Sequence, residues 1–245
     1  MYENRQPLKP VFNRVGQRNP QVELLLSMPL FKRMAREQVT VLLRRMTSRN
    51  WRQGTIIVGR DETSTGLHIV VQGNAKRVLF GDNGREIILD VLGPGQVFGE
   101  IALLDGQPEL CNVVADSDCR VLVLTRAVFM ELLSQEPAVT AVILSHLVQR
   151  LRKVTDTVGD LALYDVGARL TRCLVRLAKE KGEYQDDGIL IKKRPTQQDL
   201  ANMVGTCRET VSRALSAMAK KGIVVSRGRS LLLTWALVEG PRRAA

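Results

Sequence analysis

The sequence predicts an α+β chain in three parts: an N-terminal antiparallel β-roll of jelly-roll type, one long helix, and a small helical module closed by a β-hairpin. Three observations carry this. Short β-branched runs alternate with glycine turns from Trp51 to about Val123. One long helical stretch then starts near Pro137. Helical periodicity resumes after Asp165 and gives way to two short strands around Arg227-Gly228-Arg229.

The 245 residues suffice for two cores. At 44% hydrophobic and 25% charged, the composition is that of a folded globular chain, which argues against disorder. The net charge is +11, and the stretch from Asp165 to Ala245 holds 16 Lys and Arg against 8 Asp and Glu. A basic excess gathered in one third of the chain suits a polyanionic partner, nucleic acid first. No apolar run is long enough to span a bilayer, and the N-terminus lacks the apolar stretch of a secretory signal. Cys111, Cys119, Cys173 and Cys207 are scattered with no C-x-x-C pair, which predicts neither a disulfide framework nor a zinc site. The expected compartment is the cytoplasm, with no membrane partner.

Along the chain, residues 1–21 are polar and carry Pro7, Pro10 and Pro20, and are expected to form an extended arm. A short helical stretch follows, with Leu24, Leu25, Leu30, Phe31, Val39, Leu42 and Leu43 apolar. The strand-like runs are Thr55–Val58, Leu67–Val71, Ala75–Leu79, Glu86–Val91, Val113–Ala115 and Val121–Leu124, with a hairpin tip at 80–85. Many short strands at this spacing form an antiparallel barrel or sandwich, here assigned to 22–136.

The long helix, assigned to 137–164, repeats Leu144, Leu147, Leu151, Val154, Val158 and Leu161 in alternating steps of three and four. Gln149, Arg150, Arg152, Lys153, Asp156 and Asp160 flank this stripe. A narrow apolar seam with charged flanks predicts a two-helix coiled coil, hence a homodimer; the competing reading is a helix packed along its own domain.

In the last part, 165–245, Thr196 is a good N-cap with Asp199 three residues on. Leu200, Met203 and Val204 face inward, and Gly205 suits a tight turn. A second helix opens at Thr206 or Cys207, with Val211, Leu215 and Met218 inside and Arg208, Glu209, Ser212 and Arg213 outside. Two helices about a glycine turn, followed by strands at Ile223–Ser226 and Ser230–Thr234, make a winged helix-turn-helix. Arg is suited to guanine O6 and N7, Glu to cytosine N4, and the wing arginines Arg227 and Arg229 to phosphates. The site predicted for double-stranded DNA is therefore Arg208, Glu209, Ser212 and Arg213 for bases, with Thr196, Thr210, Arg227 and Arg229 for phosphates.

Over roughly residues 22–235 the chain resembles the CRP/FNR superfamily of bacterial transcription regulators. VGTCRETVSRAL resembles that family's recognition-helix signature, and GPGQVFGEIALLDGQP resembles the phosphate-binding cassette of its cyclic-nucleotide-binding-like domain. The resemblance implies that Arg208, Glu209 and Arg213 read bases in an inverted repeat with TGTGA-like half-sites, and adds RNA polymerase as a partner. It also implies a degenerate effector pocket at Gly99, Glu100, Glu109, Leu110, Val154 and Thr155. Nucleotide-binding members follow the cassette proline with Arg-Ser or Arg-Thr, whereas this chain has Glu109-Leu110, then Cys111. Val154-Thr155 replaces a purine-facing Thr-Ser. Glu100, the ribose-contacting acid of binding members, is kept. Asp61 stands where the roll's turn has Gly, and Ser212 where the recognition helix often has Gly. The expectation is a regulator that works without cAMP, with no cofactor and no metal; the alternative is a regulator that binds DNA only with a cyclic nucleotide. No Walker A, G-x-S-x-G or H-E-x-x-H pattern occurs, and His68 and His146 are the only histidines, so an enzyme is not expected.

Overall fold

The computed structural model describes residues 19–82 and 84–238. The arm expected at 1–21 lies outside it up to residue 18, as do Asn83 of the hairpin tip and residues 239–245. Residues 20 and 21 are helical rather than extended. The Asn19 side chain accepts from the Gln21 N–H at 2.9 Å, and Pro20 occupies the first helical position. The expected helical stretch is two helices, α1 (Pro20–Ser27) and α2 (Arg36–Arg44). Met28 turns extended before Pro29, as a residue preceding proline prefers.

The roll follows: β1 (Thr47–Trp51), β2 (Ile56–Val58), β3 (Gly66–Gln72), β4 (Ala75–Phe80), β5 (Glu86–Leu92), β6 (Val97–Phe98), α3 (Glu100–Asp105), β7 (Asn112–Ala115), β8 (Cys119–Thr125) and α4 (Arg126–Gln135). Its sheets run β1-β8-β3-β6 and β2-β7-β4-β5, and all pairings are antiparallel. Val70, Phe98 and Val121 of one sheet meet Ala75, Leu92 and Val113 of the other in a shared core. A second core lies under the helices, where Val22, Leu25, Phe31, Phe129, Val139 and Ile143 pack on Leu67, Ile69, Leu122 and Leu124. Asp61 is the sole described non-glycine residue with positive φ, at 63°. It therefore adopts the left-handed conformation that glycine takes more readily.

The long helix α5 spans Pro137–Leu163 and meets α4 at 111°. Among the described residues no single helix is long and apolar enough to cross a membrane. The C-terminal module contains α6 (Val166–Lys181), β9 (Glu183–Gln185), β10 (Gly188–Ile191), α7 (Gln197–Val204), α8 (Arg208–Lys220), β11 (Val224–Arg227), β12 (Ser230–Thr234) and α9 (Trp235–Val238). The segment from Gly182 to Gly188, expected as a plain polar turn, holds a strand. β9 pairs with β10, and β10 pairs with β12, giving a sheet of order β11-β12-β10-β9. Leu170, Leu174, Leu200, Val211, Leu215 and Leu231 form the module's core. The module also packs on the roll: α7 lies against β5, and Met203 joins Val78, Ile88, Val91 and Val114.

Candidate functional site

The helix-turn-helix forms for reasons local to its sequence. The Thr196 hydroxyl accepts from the Asp199 N–H at 3.0 Å, while the Asp199 carboxylate accepts from the Thr196 N–H at 3.2 Å, a reciprocal cap worth about 1 kcal/mol. Gly205 ends α7 at φ 67°, the left-handed angle that favours glycine, and a Cβ there would stand 3.1 Å from Leu161 Cδ2, a tight contact that this side chain would have to relieve. Cys207 caps α8. Val211, Leu215 and Met218 are buried, while Arg208, Glu209 and Arg213 are exposed and Ser212 is partly exposed.

Those four outer residues and Gln197 line one open groove. Glu209 is held below the usual carboxylate range by its own backbone N–H at the helix start, then by the Cys207 thiol, so it presents an ionised acceptor. The Thr210 hydroxyl lies 3.1 Å from Cys207 Sγ and accepts from Arg213 at 3.4 Å. On the wing, Arg227 donates to Asp187 at 2.7 Å and to Gln185 at 3.3 Å, so its charge is already shared. Arg229 is exposed at the tip and has no such partner among the described residues. Its carbonyl accepts from the Arg194 N–H at 3.2 Å, which ties the wing to the approach to α7.

The residues expected to form an effector-type pocket lie on the cassette and on α5. Gly99 starts α3 at φ 85°, and a Cβ there would meet the Gly66 carbonyl at 2.7 Å, so its glycine is a backbone requirement. Glu100 is fully buried; its Oε1 accepts from Arg150 Nη1 at 2.9 Å and lies 3.7 Å from both Arg77 Nη2 and His146 Nε2. Glu109 is buried too, and burial raises its carboxyl above the ordinary range against the pull of the Ser64 hydroxyl. Leu110 is exposed, Cys111 is buried, and Arg150 Nη2 reaches the Cys111 sulfur at 4.0 Å. Val154 is exposed, and the Thr155 hydroxyl donates back to the Leu151 carbonyl at 2.9 Å. Glu100 Oε2 and Glu109 Oε1 are buried without a hydrogen-bond partner. Two orphaned acceptors call for donors. A phosphate group brings only acceptors, whereas a ribose hydroxyl or an amino group brings a donor. Among the described residues no cluster of His, Cys, Asp and Glu is arranged to hold a metal ion.

On α5, Leu144, Leu151, Val154, Val158 and Leu161 are exposed, and Val148 joins them. Leu147 turns partly into the core of its own domain. Leu161 also lies against the Gly205 turn. The expected charged flank is not all solvent-facing. Arg150 and Lys153 turn into the roll, and Asp160 is buried against Arg172, which donates to it at 2.5 Å, with Arg176 at 4.0 Å. Sequence reading missed Arg77, Asp90 and this inward role of Arg150 and Lys153. The signal was present: His146, Arg150, Lys153, Thr157 and Asp160 repeat in steps of four and three, a second stripe beside the apolar one.

Comparison with known proteins places both halves. A family model described as "Cyclic nucleotide-binding domain" matches residues 48–136, and one described as "Crp-like helix-turn-helix domain" matches residues 168–236. The chain is 33% identical over 186 residues to the cAMP-activated global transcriptional regulator Vfr of Pseudomonas aeruginosa, covering 74% of this chain and 86% of that protein. It is 26% identical over 212 residues to a CRP-like cAMP-activated global transcriptional regulator of Mycobacterium tuberculosis, covering 86% and 95%. Among solved structures, a CooA variant from Carboxydothermus hydrogenoformans superposes with a TM-score of 0.75 at 23% identity, covering 87% of this chain and 94% of that one. The c-di-GMP responsive global regulator CLP of Xanthomonas campestris gives 0.69 at 24% identity, covering 82% and 99%. At those identities the two structures speak for the fold.

Proposed function

The chain belongs to the CRP/FNR superfamily of transcription regulators, whose members bind DNA as dimers, and from that premise we propose that it binds inverted-repeat promoter sites as a homodimer without a cyclic nucleotide. The outer face of α8 carries the DNA-binding part of the reading: four polar side chains line one open groove at the start of that helix. Arg208, Glu209, Ser212 and Arg213 are assigned to base edges. Arg229 and the Thr196 and Thr210 positions are assigned to the phosphate backbone, with Arg227 in a weaker role because Asp187 already shares its charge. The exposed stripe Leu144, Val148, Leu151, Val154, Val158 and Leu161 is the dimer seam. We take 22–136, 137–164 and 165–245 as the effector-type, dimer-forming and DNA-binding units, the cytoplasm as the compartment, and RNA polymerase as a further partner.

The ligand-free part rests on the pocket. A phosphate arriving there meets Glu109 where it needs a cation, and a carboxyl supplies none whether ionised or held neutral by burial. The second reading, a regulator that binds DNA only with a cyclic nucleotide, is favoured by the cAMP-activated relatives. Selection of DNA from a random pool without nucleotide, followed by titration calorimetry with cAMP, cGMP and a cyclic dinucleotide, separates the two. The expected result is a selected inverted repeat and no heat of binding. Micromolar cAMP affinity, or DNA binding that needs cAMP, establishes the second reading instead.

A further inference from the structure

Asp90 lies on β5, facing α5. Its Oδ1 accepts from Lys153 Nζ at 2.8 Å and from the Val91 N–H at 2.8 Å. Its Oδ2 accepts from Arg77 Nη1 at 3.4 Å. Arg77 comes from β4 and is 2% exposed, a burial that a guanidinium tolerates only with acceptors around it. The Val97 carbonyl, at 2.8 Å, is another of these acceptors. Lys153 comes from α5, and its Nζ also lies 4.0 Å from Glu180 Oε1 on α6. One ammonium therefore spans a carboxylate of the roll and a carboxylate of the DNA-binding module. The residue after Asp90, Val91, packs in the cluster that holds Met203 of α7, and α7 lies along β5. The strand that carries this carboxylate thus touches the helix-turn-helix directly.

We propose that Asp90 is the joint that holds the roll, the dimer helix and the DNA-binding module in one arrangement, so that a side-chain ion network does here what a bound effector does in a ligand-gated regulator. The proposal rests on the ligand-free reading above and supplies its physical means. Arg77 and Glu100 bring the buried cassette to the network, at 3.7 Å from each other. Arg150 and Lys153, three residues apart on one helix face, fasten α5 to Glu100 and to Asp90 respectively. A helix pinned at two points one turn apart cannot rotate about its axis without breaking an ion pair. The module is then oriented through Glu180 and through the packing of α7 on β5.

The test uses the full-length protein and a duplex selected by the wild type without nucleotide. Lys153→Met keeps the aliphatic stem and leaves the Arg77–Asp90 pair intact, so the fold is retained. Asp90→Asn still offers Arg77 an oxygen. Each variant should bind the duplex at least tenfold more weakly than wild type while sedimenting as the same dimer, and Lys153→Arg should keep most of the affinity. Amide hydrogen exchange in α7 should speed up in Lys153→Met, a change that a loss of DNA contact alone would not produce. Wild-type affinity in both variants, or unchanged exchange in α7, overturns the joint. If the wild type binds no duplex until cAMP is added, the ligand-free reading falls and the joint falls with it.

Discussion

His68 shows how burial decides a charge state at the scale of a residue. Its ring is 2% exposed and stacks on Phe98 with centroids 4.7 Å apart. Burial lowers its pKa from 6.5 to about 4, so the imidazole is neutral in the fold at pH 7. The unfolded chain protonates near pH 6.5, while the fold refuses the proton until about pH 4. Stability is therefore lost as the pH falls through that window, by about 2 kcal/mol at pH 5. In denaturant titrations the wild type should lose about 2 kcal/mol more than His68→Gln between pH 7 and pH 5; equal losses would refute this account. One single-residue feature was legible in sequence: Asp61 does adopt the left-handed conformation of a glycine turn. Arg77 and Asp90 were not legible as partners. They meet Glu100 and Lys153 only through strand pairing and helix packing, which residue order does not display.

Among elements, α7 with its capping box and the turn into the recognition helix were readable because they rest on local chemistry: a hydroxyl, an acid three residues on, and a glycine where φ is positive. β9 and β10 were not, because β10 is fixed by its pairing with β12, some forty residues away. The same distinction separates the helix from the wing in function. Arg208 stands over the open groove of α8, so Arg208→Ala should cost about 1–3 kcal/mol on the selected site and relax one base pair per half-site. Arg229 stands at the wing tip, so Arg229→Ala should weaken all sequences alike and lower the salt slope by about one. Retardation on selected and random duplexes across a salt series checks both. Equal losses by the two variants on both duplexes would mean that α8 positions the protein and does not read sequence.

For the whole molecule, the balance lies in what α5 shows to each side. Arg150, Lys153 and Asp160 of its inward stripe are ion-paired within the chain, whereas Leu151 is 67% and Val158 60% exposed. In the proposed homodimer this row of large apolar side chains on a 27-residue helix would be covered by the same row of a second copy, related by a twofold axis. Such a twofold would set the recognition helices about 34 Å apart, one DNA turn, so that each dimer grips two half-sites at once. Coupled half-sites gain about 100-fold or more in affinity over a single one, because the second contact forms at high effective concentration. Leu151→Asp with Val158→Asp buries two carboxylates per chain against their own copies and should give monomers. Those monomers should bind a full inverted repeat no better than an isolated half-site. Sedimentation should report one chain, and hydrogen exchange in α7 should stay at its wild-type rate, since the contacts of α7 with β5 lie within one protomer. A double variant that still sediments as a dimer, or that still prefers the full repeat by 100-fold, would remove α5 from the interface and require another surface to bring the two recognition helices together.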